Sequence, residues 1–254
     1  MPAAELFSFS NRLLEVLRRK QFFHSDKIHS IALAIWFHAI ELMPQKDARV
    51  FDKHLSEFRE LEDSVLKTNS VYLSMLSSVC YIGDIISSFG RKDEAFDFQM
   101  DFINRWNACK PKPHHYDAPL LAAALKNFVP GGHRLEDLLN AYQCSLKNAD
   151  EDNFSSKAEK VWESAVNKLP DLIVAEKKDY SAAIKLPRDT LQAFRAKKRL
   201  SLRLEGICLK KILGLSEASK QHLATEDETK RFNELLSSNK LGEDERKLYD
   251  ENHR

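Results

Sequence analysis

The sequence predicts an all-α fold, built of antiparallel helical hairpins packed as a multi-helix bundle or a short irregular α-solenoid. Three observations carry this. Apolar residues recur at the helical spacing of 3.6 along nearly the whole chain. No segment alternates apolar and polar residues as a half-buried strand does; Val71-Tyr72-Leu73 has β propensity but sits within a helical period. Glycine is scarce, seven in 254 residues, whereas sheet turns and phosphate-gripping loops need many.

The elements follow in chain order. Leu13, Leu14 and Leu17 give a first short face. Ser25 and Asp26 cap a second helix, because their oxygens accept from unpaired backbone N–H groups. Ile28, Ile31, Ala32, Ile35, Ala39 and Leu42 line one side of it, and Pro44 ends the run. Phe51, Leu55, Phe58, Leu61, Val65 and Leu66 keep the same period. A strongly apolar helix runs from Ser70 to Phe89 and stops at Gly90. Asp93 and Glu94 favour the next start, where negative charge meets the positive end of the helix dipole; Phe96, Met100, Ile103 and Trp106 follow.

Residues 110–119 hold three prolines and break the pattern. A short helix covers Leu120 to Phe128, and Pro130-Gly131-Gly132 ends it. Leu135, Leu138, Leu139 and Tyr142 mark another helix, and Phe154, Val161, Trp162 and Val166 the one after the acidic cluster at 150–153. Pro170 and Pro187 bracket a shorter helix. Asp189 to Leu213 reads as one long helix with Leu191, Phe194, Leu202, Ile207, Leu209 and Leu213 as core, closed by Gly214 in a left-handed conformation. A last helix lies around His222 to Leu236. Residues 1–238 are expected as one helical domain with a sub-boundary near 108–119, and 239–254 as a polar end.

Composition narrows the function. Lys plus Arg is 39 and Asp plus Glu is 38, so the net charge is +1, unlike the strongly basic balance of a nucleic-acid coat. The cysteines, Cys80, Cys109, Cys144 and Cys208, form no Cys-x-x-Cys pair, so no zinc site is expected. Three lie in apolar helical patterns, as buried reduced thiols do, which points to a cytoplasmic chain. The N-terminus lacks the basic start and apolar run of a secretory signal. The most apolar run, Ile31 to Ile40, falls short of the about 20 residues that span a bilayer.

Within residues 69–107, Ile82-Gly83, Ile86, Phe89-Gly90, Asp93, Glu94 and Ala95 resemble one unit of a tetratricopeptide repeat. The resemblance implies two antiparallel helices that approach closely at Gly83 and Ala95, with Ile82, Ile86 and Phe96 between them. Val79 stands where that family prefers Trp, Gln99 where it prefers an aromatic, and Asn107 where it prefers Pro; no second copy follows 34 residues on. The whole chain is also similar to the all-helical immunity proteins of bacterial toxin systems, the group called immunity protein 49. That similarity rests on size, the hairpin core and a late apolar helix with Leu202, Leu204-Glu205-Gly206, Leu209 and Leu213. It implies tight binding to a cognate toxin rather than catalysis.

Chemical motifs are otherwise sparse. There is no Glu-x-x-His, no His-Glu-x-x-His and no Gly-rich phosphate loop. His24, His29 and His38 make no ligand pair. Glu57, Glu60, Glu62 and Asp63 alternate with Arg59 and read as a solvated face. No catalytic residue, metal or cofactor is assigned. The leading expectation is a non-enzymatic protein-binding module, an immunity protein in its sharpest form. Its contacts are expected at His114, His115, Tyr116 and Asp117, and at Asp150, Glu151 and Asp152, which suit a basic partner. The alternative is a nucleic-acid-binding helix over 188–211, with eight Lys/Arg against Asp189 and Glu205, gripping phosphates through Arg195, Lys198, Arg199 and Arg203. An enzyme with remote site residues is the third class. No membrane contact is expected.

Overall fold

The computed structural model describes residues 2–19, 26–44, 46–67, 73–108, 117–131, 133–148 and 156–238. Among them are α1 (Ala3–Arg19), α2 (Asp26–Glu41), α3 (Ala48–Lys67), α4 (Leu73–Ser88), α5 (Lys92–Ala108), α6 (Asp117–Asn127), α7 (Arg134–Asn148), α8 (Ser156–Lys177), α9 (Tyr180–Ala196), α10 (Leu202–Ser219) and α11 (Glu226–Ser237), and no strand. The all-α expectation holds. No helix is long and apolar enough to cross a membrane among the described residues. The chain divides into two compact units, Met1–Tyr142 and Gln143–Arg254, with the division inside α7.

In the first unit alternate helices stack on one another. α2 packs on α4 and α4 on α6, while α4 and α5 form a hairpin. The Ser30 and Ser74 hydroxyls lie 2.6 Å apart, and the His38 and Tyr81 rings 4.9 Å, so α2 and α4 run parallel. α3 and α5 run parallel too: Phe58 meets Phe98, and further along Glu62 meets Arg105. Lys126 reaches back to Asp84, and Arg134 at the start of α7 holds Asp93 and Asp97 on α5. These polar links join residues 37 to 44 apart, which is the span of one helix pair. Such a pattern is the layering of a short α-solenoid, in which each pair buries its apolar faces on its neighbours.

The second unit repeats the device. From α8 to α10, Glu159 pairs with Ser201, Glu163 with Arg203 and Asp171 with Lys211, at separations of 40 to 42. From α9 to α11, Arg188 pairs with Glu228 at 40. Trp162 packs edge-on to Phe194 at the centre of this unit.

The α4–α5 turn matches expectation. Gly90 is left-handed (φ 78°), its N–H bonds the Ser87 carbonyl, and the Arg91 N–H bonds that of Ile86. These two bonds satisfy carbonyls left open at the end of α4. Val79, Ile82, Ile86, Ala95 and Phe96 are buried. Gly83 is needed for a specific reason. A Cβ there would overlap the end of Gln99, whose Cγ would lie at 3.1 Å, and Gln99 is itself buried and bonded by Asn127 Nδ2 at 3.1 Å.

Four local expectations are corrected. Pro170 and Pro187 do not bracket a helix; they lie inside α8 and α9. The break falls at left-handed Lys178 and at Asp179, whose Oδ1 accepts from the Ala182 N–H. The helix expected over 189–213 is two helices. Lys198 is left-handed (φ 55°), the Arg199 N–H reaches the Phe194 carbonyl, and Ser201 caps α10 by accepting from the Leu204 N–H. That turn resets the helical phase, so Leu204, Cys208, Leu209, Ile212 and Leu215 form the α10 core and Leu202 is exposed. Gly214 lies within α10, which ends instead at left-handed Lys220. The last helix starts later than expected, in a capping box: Thr225 Oγ1 accepts from the Glu228 N–H and the Glu228 carboxylate from the Thr225 N–H.

Of the α3 carboxylates read as a solvated face, Glu60 and Asp63 are exposed as expected, and Glu62 is not. It is 1% exposed; Arg105 Nη1 donates to Oε1 at 2.9 Å, and Oε2 has no hydrogen-bond partner among the described residues. Burial raises its pKa to about 7, only partly offset by Arg105 and Arg59. Among the cysteines, Cys208 is buried as expected, Cys80 is half-buried and Cys144 is exposed. Burial pushes the Cys80 thiol up to about 12.

Two outcomes follow. Gly83→Ala should destabilise the chain by about 1–3 kcal/mol through overpacking, and adding Gln99→Ala should recover part of that, as measured by urea denaturation of the single and double variants. A carboxyl raised on folding binds its proton more tightly in the folded chain, so its contribution to stability is full below about pH 4.5 and falls as the pH rises through about 7. The loss of stability between pH 5 and pH 8 should therefore shrink in Glu62→Gln; an unchanged loss would assign it to other groups.

Candidate partner-binding surface

The expected contact residues His114, His115 and Tyr116, and Asp150, Glu151 and Asp152, lie outside the described residues. Asp117 opens α6. The four residues expected to grip phosphates do not share one helix. Arg195 is near the end of α9, Lys198 and Arg199 are in the turn, and Arg203 is on α10. Two of them hold carboxylates: Arg195 donates to Glu205 at 2.8 Å and Arg203 to Glu163 at 2.7 Å. Arg188 and Lys211, from the same basic run, hold Glu228 and Asp171.

Glu205 is the hub of this region. It is 5% exposed and takes hydrogen bonds from Arg195 and, through two nitrogens, from Arg231 on α11. Burial alone would raise its pKa, but the two guanidinium groups hold it below the usual carboxylate range. α9, α10 and α11 are thus joined through one buried charge.

The first unit carries a different kind of surface. α1 and α2 pack along their length as a hairpin, and Asn11 Oδ1 accepts from Trp36 Nε1 at 2.9 Å. Ser10, Leu14 and Leu17 on α1 and Ala32, Trp36 and Ala39 on α2 are buried, with Trp36 against Phe7 and Asn11. Helical spacing from Asn11 and Trp36 puts these rows along the line of contact. Phe9, Leu13 and Val16 each precede a residue of the first row, and Ile31 and Ile35 each precede one of the second. One step along a helix is a turn of about 100°. In an antiparallel pair the same step from the contact line leads to the same face, so these stripes lie side by side. The register set by Asn11 and Trp36 brings Val16 level with Ile31.

This face is open. Phe9 is 48% exposed, Val16 49%, Ile28 44%, Ile31 42% and Leu42 48%. The one side expected from Ile28, Ile31, Ala32, Ile35, Ala39 and Leu42 is therefore corrected: Ala32 and Ala39 are buried, and Ile28, Ile31 and Leu42 are at the surface. Leu33, Trp36, Phe37 and Ile40 fill the interior in their place. α2 is apolar nearly all round, so its periodicity does not say which side faces inward.

No group of three or more His, Cys, Asp or Glu residues among the described residues is placed to hold a metal ion. Arg231→Ala removes two of the hydrogen bonds to Glu205 and should cost about 1–3 kcal/mol, nearer the lower end because Arg231 is partly exposed. A carboxylate held low contributes stability above its ordinary value and loses it on protonation. The deficit should thus narrow as the pH falls below about 4, which thermal melts across pH 3–7 would show.

Comparison with known proteins finds no family model that matches the chain and no curated protein that matches it.

Proposed function

We propose that the chain is a non-catalytic helical module that binds another protein, with the apolar face of α1 and α2 as its contact surface. The observation that carries this reading is the concentration of exposed large apolar residues there. Single exposed leucines are ordinary on any protein, but a contiguous apolar face is a recurrent mark of an interaction site. Covering it gains roughly 25 cal/mol per Å2 of apolar area. Stable complexes bury about 1,200–2,000 Å2 and draw their energy from a few large anchors, a role that suits Phe9 and Ile31.

In its sharper form, supported by the similarity to all-helical immunity proteins, the partner is a toxin. Inhibition is then steric: the helical face covers the toxin's working surface and no bond is made or broken.

The test uses Phe9→Glu/Ile31→Glu, a double variant at exposed positions that keeps the interior intact. A nuclease-treated lysate of the source cells should yield a stoichiometric protein partner on the wild type, with binding weakened by at least about tenfold in the variant. A toxin gene encoded alongside should be tolerated in cells that co-express the wild type and not in those that co-express the variant. Equal retention by the two forms would remove this face from the reading. Recovery of nucleic acid alone from a parallel lysate left without nuclease, abolished by Lys198→Glu/Arg199→Glu, would replace it with the phosphate-binding alternative.

A further inference from the structure

In the second unit, α9, α10 and α11 enclose a groove of about 740 Å3, within the range of pockets that hold specific ligands, about 300–1,000 Å3. Its floor is apolar: Leu191 of α9 and Leu209 of α10. Its walls carry three guanidinium groups, Arg188 and Arg195 from α9 and Arg231 from α11.

Their donors are unequally spent. Arg231 uses Nε and Nη2 on Glu205 and Nη1 on Glu234. Arg188 uses Nε and Nη2 on Glu228, with Nη2 also on the Leu223 carbonyl, and its Nη1 is unspent among the described residues. Arg195 gives Glu205 only Nη2, so Nε and Nη1 remain among the described residues. A guanidinium offers five N–H donors in a planar fork that matches a carboxylate. Two of the three arginines therefore line the groove with donors still to give.

Charge runs along the groove. Asp227 and Glu228 stand at the first turn of α11, beside Arg188. At the other end the α9 wall continues past Arg195 to Lys198, which is exposed. The occupant must therefore be acidic where it meets Arg195 and the turn, and apolar where it lies on the leucines.

We infer that this groove binds an acidic peptide segment of a partner protein, its carboxylates on Arg195 and Lys198, its apolar side chains on Leu191 and Leu209. A polynucleotide fits less well. It carries a charge at every step, has no apolar side chain for the floor, and meets the carboxylates of Asp227 and Glu228. A peptide combines charge and hydrocarbon and matches both. The inference deepens the protein-binding reading with a partner chemistry, and it stands on a different surface, so the two fail separately.

The experiment is fluorescence anisotropy on the full chain with a labelled peptide that is acidic at one end and apolar at the other, Glu-Glu-Glu-Leu-Ala-Leu-Ala-Ala. A peptide with Lys for every Glu and a single-stranded oligonucleotide serve as competing probes. Gln192→Glu/Ala196→Glu places two carboxylates on exposed positions of the groove wall without touching any ion pair, and Lys198→Glu does the same in the turn; melting temperatures confirm that each folds. The acidic peptide should bind saturably, weaken as salt is added, and lose about tenfold in affinity in either variant. Phe9→Glu/Ile31→Glu should bind it as the wild type does. Absence of saturable binding, unchanged affinity in both groove variants, or equal or tighter binding of the lysine peptide or the oligonucleotide would overturn the inference.

Discussion

The fold depends on one constraint: a helix with apolar residues on more than one side cannot bury them all on its hairpin mate. α4 shows this most plainly. It packs on α5 in sequence order, but also on α2 before it and α6 after it. Alternate helices therefore run parallel, one pair-length apart, and their polar links follow the same stride in both units. The links are mostly ion pairs at the edges of apolar contacts. Each is worth little alone in water, so their part is to set which residues lie opposite, while burial supplies the energy.

Close approach has a price in side-chain choice at the few places where helices nearly touch. Gly83 leaves room for the Gln99 amide, which in turn is bonded by Asn127 on α6. A polar residue where a repeat family prefers an aromatic is thus no defect of the hairpin. It ties α5 to α6 through the Asn127 hydrogen bond, with its amide end in the space that Gly83 leaves on α4.

Helix ends explain what becomes of the basic run. Lys178, Lys198 and Lys220 are all left-handed, each just past the end of a helix. Lysine gains there from the negative end of the helix dipole, which offsets part of the cost of that backbone conformation. The break at Lys198 splits what reads as one cationic helix into two helices and a turn. Its arginines then fall opposite carboxylates on other helices, Glu163, Glu205 and Glu228, and much of the excess charge is spent inside the unit. The same break leaves Arg195 and the turn at one end of the α9–α11 groove.

By itself the sequence determined the helical class, the position of α3 and α5 with their buried phenylalanines and Trp106, and the sharp stop at Gly90. These follow from local spacing and from a residue type that the left-handed turn favours. It did not disclose that Glu62 and Glu205 are buried, because a carboxylate's surroundings come from residues about 10 to 45 positions away. Nor did it tell which side of α2 is interior, since Ile28, Ile31 and Leu42 are as apolar as Leu33, Phe37 and Ile40. Only the tertiary structure decided that, by seating α1, α3 and α4 around one side of α2 and leaving the other to water. Local rules govern how a chain coils; which of its apolar atoms lie inside is settled by the helices that surround them.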